Sequence, residues 1–472
     1  MKKALFCIPA ILLLTGCATF HNQPIKASDT ALRFERRSLN NLEIKEFLEK
    51  NLHRRISPWP PAYWDFETLT LAAFYYHPDL DVARAKWGIA QAGIITAGAR
   101  PNPVLGIDPT YNINALSGVS PWIFDSVLNI PIETAGKRGY RISQAKHLSE
   151  TARLNISFVA WQVRSRLRVR LLNFYAANRA QDILKRQLAI QEENVKVLKE
   201  RLIQGEVSFP VFNQAQLSLN KTELSLHEAQ KQNAQACVEL ADALGLPVGA
   251  IEGVEFDLDI FNRISLLDNF SLADARQCVL LNRPDILGIL GEYAASQSAL
   301  QLEIAKQYPD IKLGPGYTWD QGATEWALGL TVTLPVLNQN QGPIAEAEAR
   351  RKETMARFVA LQAKVIAEIG RAMEGYRAAH EKFRAAETLF LTQKRQKQFI
   401  DVTNQEGDVR RVSLLNAQIE LDSAELSYLD ALVEVQQALG QLEDAFMRPL
   451  DSLDYVSLLS KDPPRHDEGY RQ

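Results

Sequence analysis

Apolar residues recur with a helical period over four long stretches of the chain that contain few helix-breaking residues. Three of these stretches lack both glycine and proline, and the fourth lacks proline: 140–204, 211–244, 408–439 and 344–406. At 1.5 Å per residue, the first stretch would extend for about 100 Å as a helix. Gly205 and Gly407 follow the two longest stretches, where a helix often ends in the left-handed conformation. The pattern predicts two pairs of long helices, each joined by a turn, in an extended rod rather than a compact globule.

The second helix of the later pair carries two apolar stripes. One runs from Val412 to Val433 with the spacing of a coiled-coil seam, and the other runs from Leu414 to Leu442 on a different face. A helix with two seams needs two helical neighbours, so it belongs to a wall of helices. A wall without free edges closes into a tube, although a simple antiparallel coiled-coil bundle would also satisfy these stripes.

The chain is an internal tandem repeat. His77-Pro78-Asp79-Leu80 recurs as Arg283-Pro284-Asp285-Ile286 at an offset of 206 residues, and Ile130-Pro131-Ile132 recurs as Leu334-Pro335-Val336 at an offset of 204. Pro103 meets Pro309 at the first of these offsets. Each copy is predicted to have the order helix, strand, loop, strand, very long helix, turn, long helix.

Two strand pairs separate the helices. Residues 104–113 and 122–131 flank a loop at 114–121 in the first copy, and the second copy repeats this arrangement with residues 311–319, 326–334 and a loop at 320–325. Each strand has about ten residues, which is the length of a tilted strand that crosses a bilayer. Four aromatic residues lie beside the loops, as in the aromatic belt of a membrane interface: Tyr111, Trp122, Trp319 and Trp326.

The number of strands bears on the assembly. Single-chain membrane barrels need at least eight strands, and open strand edges are not tolerated in lipid. Four strands that cross a membrane therefore require an oligomer. A soluble hairpin that packs on helices is the alternative for each strand pair.

Composition narrows the classes of function. Hydrophobic residues make up 46% of the chain and charged residues 23%, so the chain is expected to fold. With 53 basic and 56 acidic residues, the net charge of −3 provides no basic excess for binding nucleic acid. The histidines and four cysteines have no metal-ligand spacing, and no arrangement of catalytic residues stands out. We expect no enzyme, no cofactor and no bound metal.

The N-terminus has the layout of a secretory signal: two lysines and an apolar run that is too short to span a bilayer. The run ends in Leu14-Thr15-Gly16-Cys17, which resembles a bacterial lipobox with Cys17 as the lipidated residue; a chance cysteine is the alternative. Ala18, where an aspartate would retain the protein at the inner membrane, implies sorting to the outer membrane. The expected segments are a signal peptide, a lipid-anchored N-terminal segment, two repeats and a mobile tail: 1–16, 17–65, 66–265, 266–450 and 451–472.

Together these features resemble the TolC-like outer-membrane efflux proteins, over roughly residues 66–450. The most specific segments are 99–103 (Ala-Arg-Pro-Asn-Pro) and 131–138 (Pro-Ile-Glu-Thr-Ala-Gly-Lys-Arg), which look most like the branch that exports heavy-metal cations, and the two glycine turns. The resemblance implies a homotrimer whose twelve strands form one β-barrel in the outer membrane. Below it a long α-helical barrel would cross the periplasm to a periplasmic adaptor and an inner-membrane pump, and the chain itself would be a passive duct.

The resemblance also suggests which residues contact partners. The turns would meet the adaptor through Arg201, Gly205, Ser208, Gly407 and Val409. Some relatives narrow the pore with aspartates six and nine residues after the second glycine, where this chain has Ser413 and Asn416, preceded by Arg410 and Arg411. An acidic constriction is therefore doubtful, and we expect a gate in which Arg410 or Arg411 pairs with acids such as Glu406 or Asp408.

Two other interpretations stay open on the sequence alone. A duct of this kind could serve a multidrug or protein-export pump instead of a metal pump, because only the likeness near residues 133–138 separates them. A periplasmic coiled-coil scaffold lipoprotein that conducts nothing would also need long helices, but it would not need alternating strands with aromatic belts. The transported substrate, the cognate partners and the state of the gate are not encoded in any motif of the chain.

Overall fold

A computed structural model describes residues 18–264, 280–403 and 408–450, without the side chains of residues 403 and 408–410. The helices are α1 Ala27–Glu35, α2 Leu42–Leu52, α3 Phe66–Tyr76, α4 Pro78–Gly98, α5 Lys137–Ile203, α6 Phe209–Leu244, α7 Pro284–Ala305, α8 Gln341–Thr403 and α9 Asp408–Phe446. The strands are β1 Val104–Tyr111, β2 Trp122–Ile132, β3 Ile311–Asp320 and β4 Ala323–Val332. The predicted signal peptide, Cys17, Gly407 and the tail at 451–472 lie outside the described residues.

The long helices begin and end where the sequence provides caps. Asp65 accepts a hydrogen bond from the backbone N–H of Thr68 at 2.8 Å and so caps α3, and Pro78 occupies the first turn of α4. Gly205 ends α5 with φ of 78°, in the left-handed region that glycine enters without strain. The prediction of a glycine stop at this position is confirmed, and α5 and α8 have 67 and 63 residues.

The helices form a wall one helix thick. Near the sheet, the lateral order is α4, α5, α7, α8, and away from the sheet it is α6, α5, α9, α8. The two stripes of α9 face two neighbours, as predicted: Ala431 and Val435 pack on Phe383 of α8, whereas Leu426 packs on a cluster of α5 and α6. Within the described ranges, no helix has both the length and the apolar character needed to cross a membrane.

The four strands form one antiparallel sheet in the order β1-β2-β3-β4. The predicted loop at 320–325 is wrong, because β3 continues to Asp320 and β4 begins at Ala323. Gln321 and Gly322 alone make the turn with φ of 48° and 110°, and a two-residue turn with positive φ matches the twist of a hairpin. The first hairpin keeps a long loop after Tyr111, so the two repeats differ at this end of the sheet.

The largest hydrophobic core lies at the level of the α3–α4 junction rather than along the wall. It joins α2 and α3 to the middle of α5 and the end of α6, with Leu69, Leu167 and Leu240 fully buried. We call this core around Leu69, Leu167 and Leu240 the collar. Arg37 stabilises the collar by donating hydrogen bonds to the carbonyl oxygens of Tyr76 at 2.9 Å and Gly245 at 2.8 Å. The N-terminal segment is thereby attached to the wall at the start of α4.

Candidate functional site

The two faces of the sheet differ in chemistry. Directly paired residues of an antiparallel sheet share a face, and the registers therefore assign every strand residue to one of two sets. One face is apolar in all but two of its residues: Leu105, Ile107, Pro109, Tyr111, Trp122, Phe124, Ser126, Leu128, Ile130, Ile132, Ile311, Leu313, Pro315, Tyr317, Trp319, Thr324, Trp326, Leu328, Leu330 and Val332. The other face is mostly small or polar, with Val104, Ile123 and Val127 as its larger apolar residues. This alternation is that of a strand between lipid and a polar interior.

The four aromatic residues expected at a membrane interface all lie on the apolar face. Tyr111 packs against Trp122 with ring centroids 5.0 Å apart, and Tyr317 packs against Trp326 at the same separation. Phe124 connects Trp122 to Trp319 at 5.9 and 6.0 Å. The sequence analysis missed Phe124 and Tyr317, although counting two residues along each strand from the known aromatics would have found them.

The polar face carries a row of acids near the loop end of the sheet. Asp108 pairs with Asp125, Asp125 with Thr318, and Thr318 with Glu325, so the four residues follow one another across all four strands. Thr318 donates its hydroxyl to Asp125 at 2.7 Å. Any interior enclosed by this face would therefore be acidic at that level.

The opposite end of the molecule is the turn between α5 and α6. The N–H groups of Gly205 and Glu206 donate to the carbonyl oxygens of Leu202 and Arg201 at 3.0 and 2.9 Å, which is a Schellman motif. Arg201 also forms an ion pair with Glu206 at 2.9 Å, and Ser208 precedes the first turn of α6 without a capping hydrogen bond from its side chain. The predicted adaptor residues of the first repeat therefore lie together in one turn.

The residues expected near a pore constriction contact the neighbouring hairpin. Arg411 of α9 donates to Glu193 of α5 at 2.7 Å, and Asn194 donates to the side chain of Asn416 at 3.1 Å. Ser413 lies between Arg411 and Asn416 along α9 and is half-buried. Glu406 and the side chains of Asp408, Val409 and Arg410 lie outside the described residues, and Glu193 is a partner of Arg411 that the structure describes.

Polar contacts continue between α5 and α9 above this point. Gln187 donates to Ser423 at 3.1 Å, and the guanidinium of Arg186 contacts both Asp422 and Glu425. Asp422 is fully buried, and its Oδ2 has no hydrogen-bond partner. Burial raises the pKa of Asp422, although hydrogen bonding from Gln418 and the charge of Arg186 act in the opposite direction.

The segment 131–138, which the sequence analysis compared with metal-efflux proteins, joins the sheet to the helices. Lys137 is buried and donates to the carbonyl oxygen of Tyr308 at 2.6 Å and to Asp310 at 2.7 Å. Thr134 donates its hydroxyl to the carbonyl oxygen of Pro309 at 2.7 Å, and Arg138 donates to that of Gly98 at 2.7 Å. Although burial opposes it, hydrogen bonding from Lys137 and Thr134 lowers the pKa of Asp310. These contacts give the segment a structural role.

A sheet with one apolar face, continued by a one-helix-thick wall with open edges, is the architecture of a protomer from an outer-membrane channel. A family model described as outer membrane efflux protein matches residues 73–246 and, again, residues 275–446. The chain belongs to this outer membrane efflux protein family. The double match confirms the tandem repeat, and membership assigns the chain to channels of the outer membrane rather than to enzymes.

Comparisons with individual proteins agree. The cobalt-zinc-cadmium resistance protein CzcC of Cupriavidus metallidurans is 23% identical over 371 residues, which cover 76% of this chain and 84% of that protein. The solved structure of CusC has a TM-score of 0.65 at 18% identity, and the match covers 83% of this chain and 94% of CusC. VceC of Vibrio cholerae has a TM-score of 0.64 at 17% identity, with 81% and 96% covered. The fold that these structures share is the fold of this chain.

Proposed function

We propose that the protein is the outer-membrane exit duct of a tripartite efflux system, and that it is a homotrimer. The observation that carries the proposal is that the sheet and the wall have the same open edges. α4 leads into β1 at one edge, and β4 leads into α8 at the other, so the helix order α4-α5-α7-α8 repeats the strand order. Copies joined head to tail would close both layers together.

The side chains along these edges support closure. α4 has an exposed apolar stripe that includes Val82 and Ile89, on the face away from α5. α8 has a corresponding stripe with Met355 and Val359. The helices α4 and α8 are the two ends of the lateral order near the sheet. Exposed apolar residues grouped on one helix face favour burial against another protein surface. Three copies would provide twelve strands, enough for a barrel, whereas one copy provides four.

The N-terminal segment has the length needed for a lipid anchor at Cys17. Arg37 holds the chain at the start of α4, whose 21 residues extend about 32 Å toward the sheet. Residues 18–26 and α1 together reach about 43 Å when the former are extended. Lipid attached to Cys17 in the leaflet next to the periplasm is therefore compatible with the collar contacts.

The partners and substrate extend the same proposal. The turn with Arg201, Gly205 and Ser208, together with Gly407 and Val409, would contact a periplasmic adaptor, and an inner-membrane pump would supply the energy.

Heavy-metal cations are the proposed substrate class, because CzcC is a cobalt-zinc-cadmium resistance protein and the match covers most of both chains. Deletion of the gene should increase sensitivity to cobalt, zinc, cadmium, copper or silver. If deletion increased sensitivity only to dyes or antibiotics, the proposed metal substrates would be wrong and the duct would serve a multidrug pump.

The class is tested by extracting the native protein from outer membranes in detergent and measuring its mass and shape. We expect the mass of a trimer by light scattering, and by particle imaging a short barrel that continues into a hollow shaft on the order of 100 Å long. Insertion into a planar bilayer should give discrete conductance steps. A monomer or a solid dimeric rod without conductance would mean that the chain is a scaffold and not a duct.

A further inference from the structure

His77 occupies the junction between α3 and α4 and is the only buried histidine in the part of the chain that the structure describes, with 5% of its surface exposed. The backbone N–H of Asp79 lies 3.3 Å from its Nδ1 and caps α4, and the guanidinium of Arg166 lies 3.2 Å from its Nε2. A neutral imidazole accepts at one nitrogen, and an imidazolium accepts at neither. Protonation of His77 therefore removes whichever of these two hydrogen bonds it accepts.

Charged groups from four parts of the chain face the imidazole of His77. They are Asp79 of α4, Arg166 of α5, Asp242 of α6 and Arg37 of the segment between α1 and α2. Two cations and two anions balance while His77 is neutral, and a proton on His77 would leave this group with a net positive charge. Burial lowers the pKa of His77, the charges of Arg166 and Arg37 act in the same direction, and those of Asp79 and Asp242 oppose it.

The second repeat holds a permanent cation at the equivalent position. Arg283, at an offset of 206 residues from His77, is 4% exposed and forms a bidentate ion pair with Asp285 at 3.0 and 2.7 Å. Its guanidinium also lies 3.6 Å from Glu368 of α8. At the offset of 204 residues, the equivalent of Glu368 is Arg164. The first repeat thus has a basic residue where the second has an acid beside its cation.

The junction around His77 is also where the N-terminal segment is attached to the wall. Arg37 donates to the carbonyl oxygens of Tyr76 and Gly245, and the hydroxyl of Tyr76 donates to the carbonyl oxygen of Ser38 at 2.8 Å. A Cβ on Gly245 would come within 3.2 Å of the Cα of His77, so these two segments are in close contact. Because His77 directly follows Tyr76 and touches Gly245, its displacement would disturb both acceptors of Arg37.

We propose that His77 is a proton-sensitive latch, and that its protonation weakens the attachment of the N-terminal segment to the helical wall. This role goes beyond conduction, because it makes the collar respond to the acidity around it. In the folded protein the pKa of His77 lies below the ordinary value of 6.5, so the folded state binds fewer protons than the opened segment as pH falls through 6.5. The attachment is therefore most stable above pH 6.5 and weakens below it, whereas the junction at Arg283 should not respond.

Hydrogen–deuterium exchange followed by mass spectrometry tests the latch on the detergent-extracted full chain at pH 8.0 and pH 5.5, with rates corrected for intrinsic exchange. Between these conditions, exchange in residues 37–52 should rise by at least about threefold more in wild type than in His77→Asn, and a titration at 6.5 limits the difference to about tenfold. Asparagine can still cap α4 but does not titrate. Residues 284–290, at the start of α7, are the matched control in the same molecule and should change equally in both proteins.

Arg166→Gln keeps the test decisive if His77→Asn does not fold. It removes a cation that opposes protonation of His77, so the pKa of His77 in the folded state should move toward 6.5 and the acid response of residues 37–52 should be smaller than in wild type. A difference below about threefold between wild type and folded His77→Asn, an undiminished response in Arg166→Gln, or an equal rise in residues 284–290 would overturn the latch. The proposed duct would be unaffected by any of these results.

Discussion

At the scale of single residues, two polar groups buried in the helical wall control how closely helices can approach. Arg168 of α5 is almost fully buried and donates to both oxygens of Gln436 on α9, at 2.7 Å to the carbonyl and 3.0 Å to the side chain. Gly440 lies one turn further along α9, and a Cβ at that position would come within 2.5 Å of the Arg168 guanidinium. The glycine is therefore needed for space, not for backbone conformation.

Gly440→Ala should lower the free energy of unfolding by about 1–3 kcal/mol, because the guanidinium would have to leave its hydrogen bonds. The matched control is Gly375→Ala in α8, where nothing lies within 4 Å and the residue is exposed. That change should stabilise the protein by about 0.5–1 kcal/mol through helix propensity. Denaturant unfolding followed by circular dichroism would measure both, and equal effects would contradict the steric role of Gly440.

Asp422 makes a pH-dependent contribution whose sign follows from burial. Its pKa in the folded state lies above the ordinary value of 3.8, so the folded protein binds more protons than the unfolded chain between these two values, and stability falls as pH rises through that window. Asp422→Asn should therefore stabilise the protein at pH 7 by up to about 1 kcal/mol, since Arg186 keeps Glu425 as a partner.

The advantage of Asp422→Asn should shrink as pH falls toward and below 3.8, because the aspartate then becomes neutral in both states. Thermal unfolding of wild type and variant at pH 7 and at pH 3.5 would show this convergence. A variant that is less stable than wild type at pH 7 would mean that the ion pair with Arg186 outweighs the desolvation of Asp422.

At the scale of elements, the two faces of the sheet make different demands on substitution. Leu328 and Ala327 are adjacent in β4, both exposed in the single chain, and on opposite faces. Leu328→Lys should cost about 2–4 kcal/mol of stability in a lipid bilayer if it lies near the midplane, whereas Ala327→Lys should leave insertion unchanged. Urea unfolding from liposomes would compare the two. Equal losses would show that the apolar face does not meet lipid.

The two hairpins of long helices are each joined by apolar seams, but near the turns they contact one another through polar groups. Arg411 and Glu193 are the outermost of these, and both are largely exposed, so the pair contributes at most about 1 kcal/mol. A contact this weak can break and reform without unfolding either hairpin, which is what a gate requires.

If this pair holds the gate, Arg411→Ala and Glu193→Gln should each raise the conductance of the closed state, and the double variant should raise it no further. The charge-swapped double variant, Arg411→Glu with Glu193→Arg, should return to the wild-type conductance. Single-channel recording in planar bilayers measures all four proteins. Unchanged conductance in Arg411→Ala, and likewise in Arg410→Ala, would remove both arginines from the gate.

At the scale of the whole molecule, the proposed trimer makes the chain one segment of a closed structure. The wall and the sheet end at the same two edges, and the exposed apolar residues at those edges lie on α4, α8 and the junction after β4. A closed ring removes both strand edges at once, which is the condition for backbone polar groups to lie in lipid. In the proposed trimer, assembly and insertion should therefore be coupled.

A variant that blocks assembly should accordingly block insertion. Val104→Asp places a carboxylate at an exposed position of the edge strand β1. Chains that this change keeps from forming trimers should stay in the soluble or peripheral fraction when outer membranes are washed with carbonate, while wild-type chains resist extraction. Monomeric Val104→Asp chains that resist carbonate as wild type does would show that lipid alone can cover the edges, against the coupling.

The sequence by itself determined the repeat, the lengths of the helices, the glycine stop at Gly205 and the two seams of α9, because each depends on residues close together along the chain or on a period that local geometry imposes. It also predicted that the strands alternate. The tertiary structure decided what brings distant residues together: that Arg411 pairs with Glu193, and that Lys137 in the most family-like motif is a structural lock. These contacts join segments more than a hundred residues apart, and no local pattern encodes such a register.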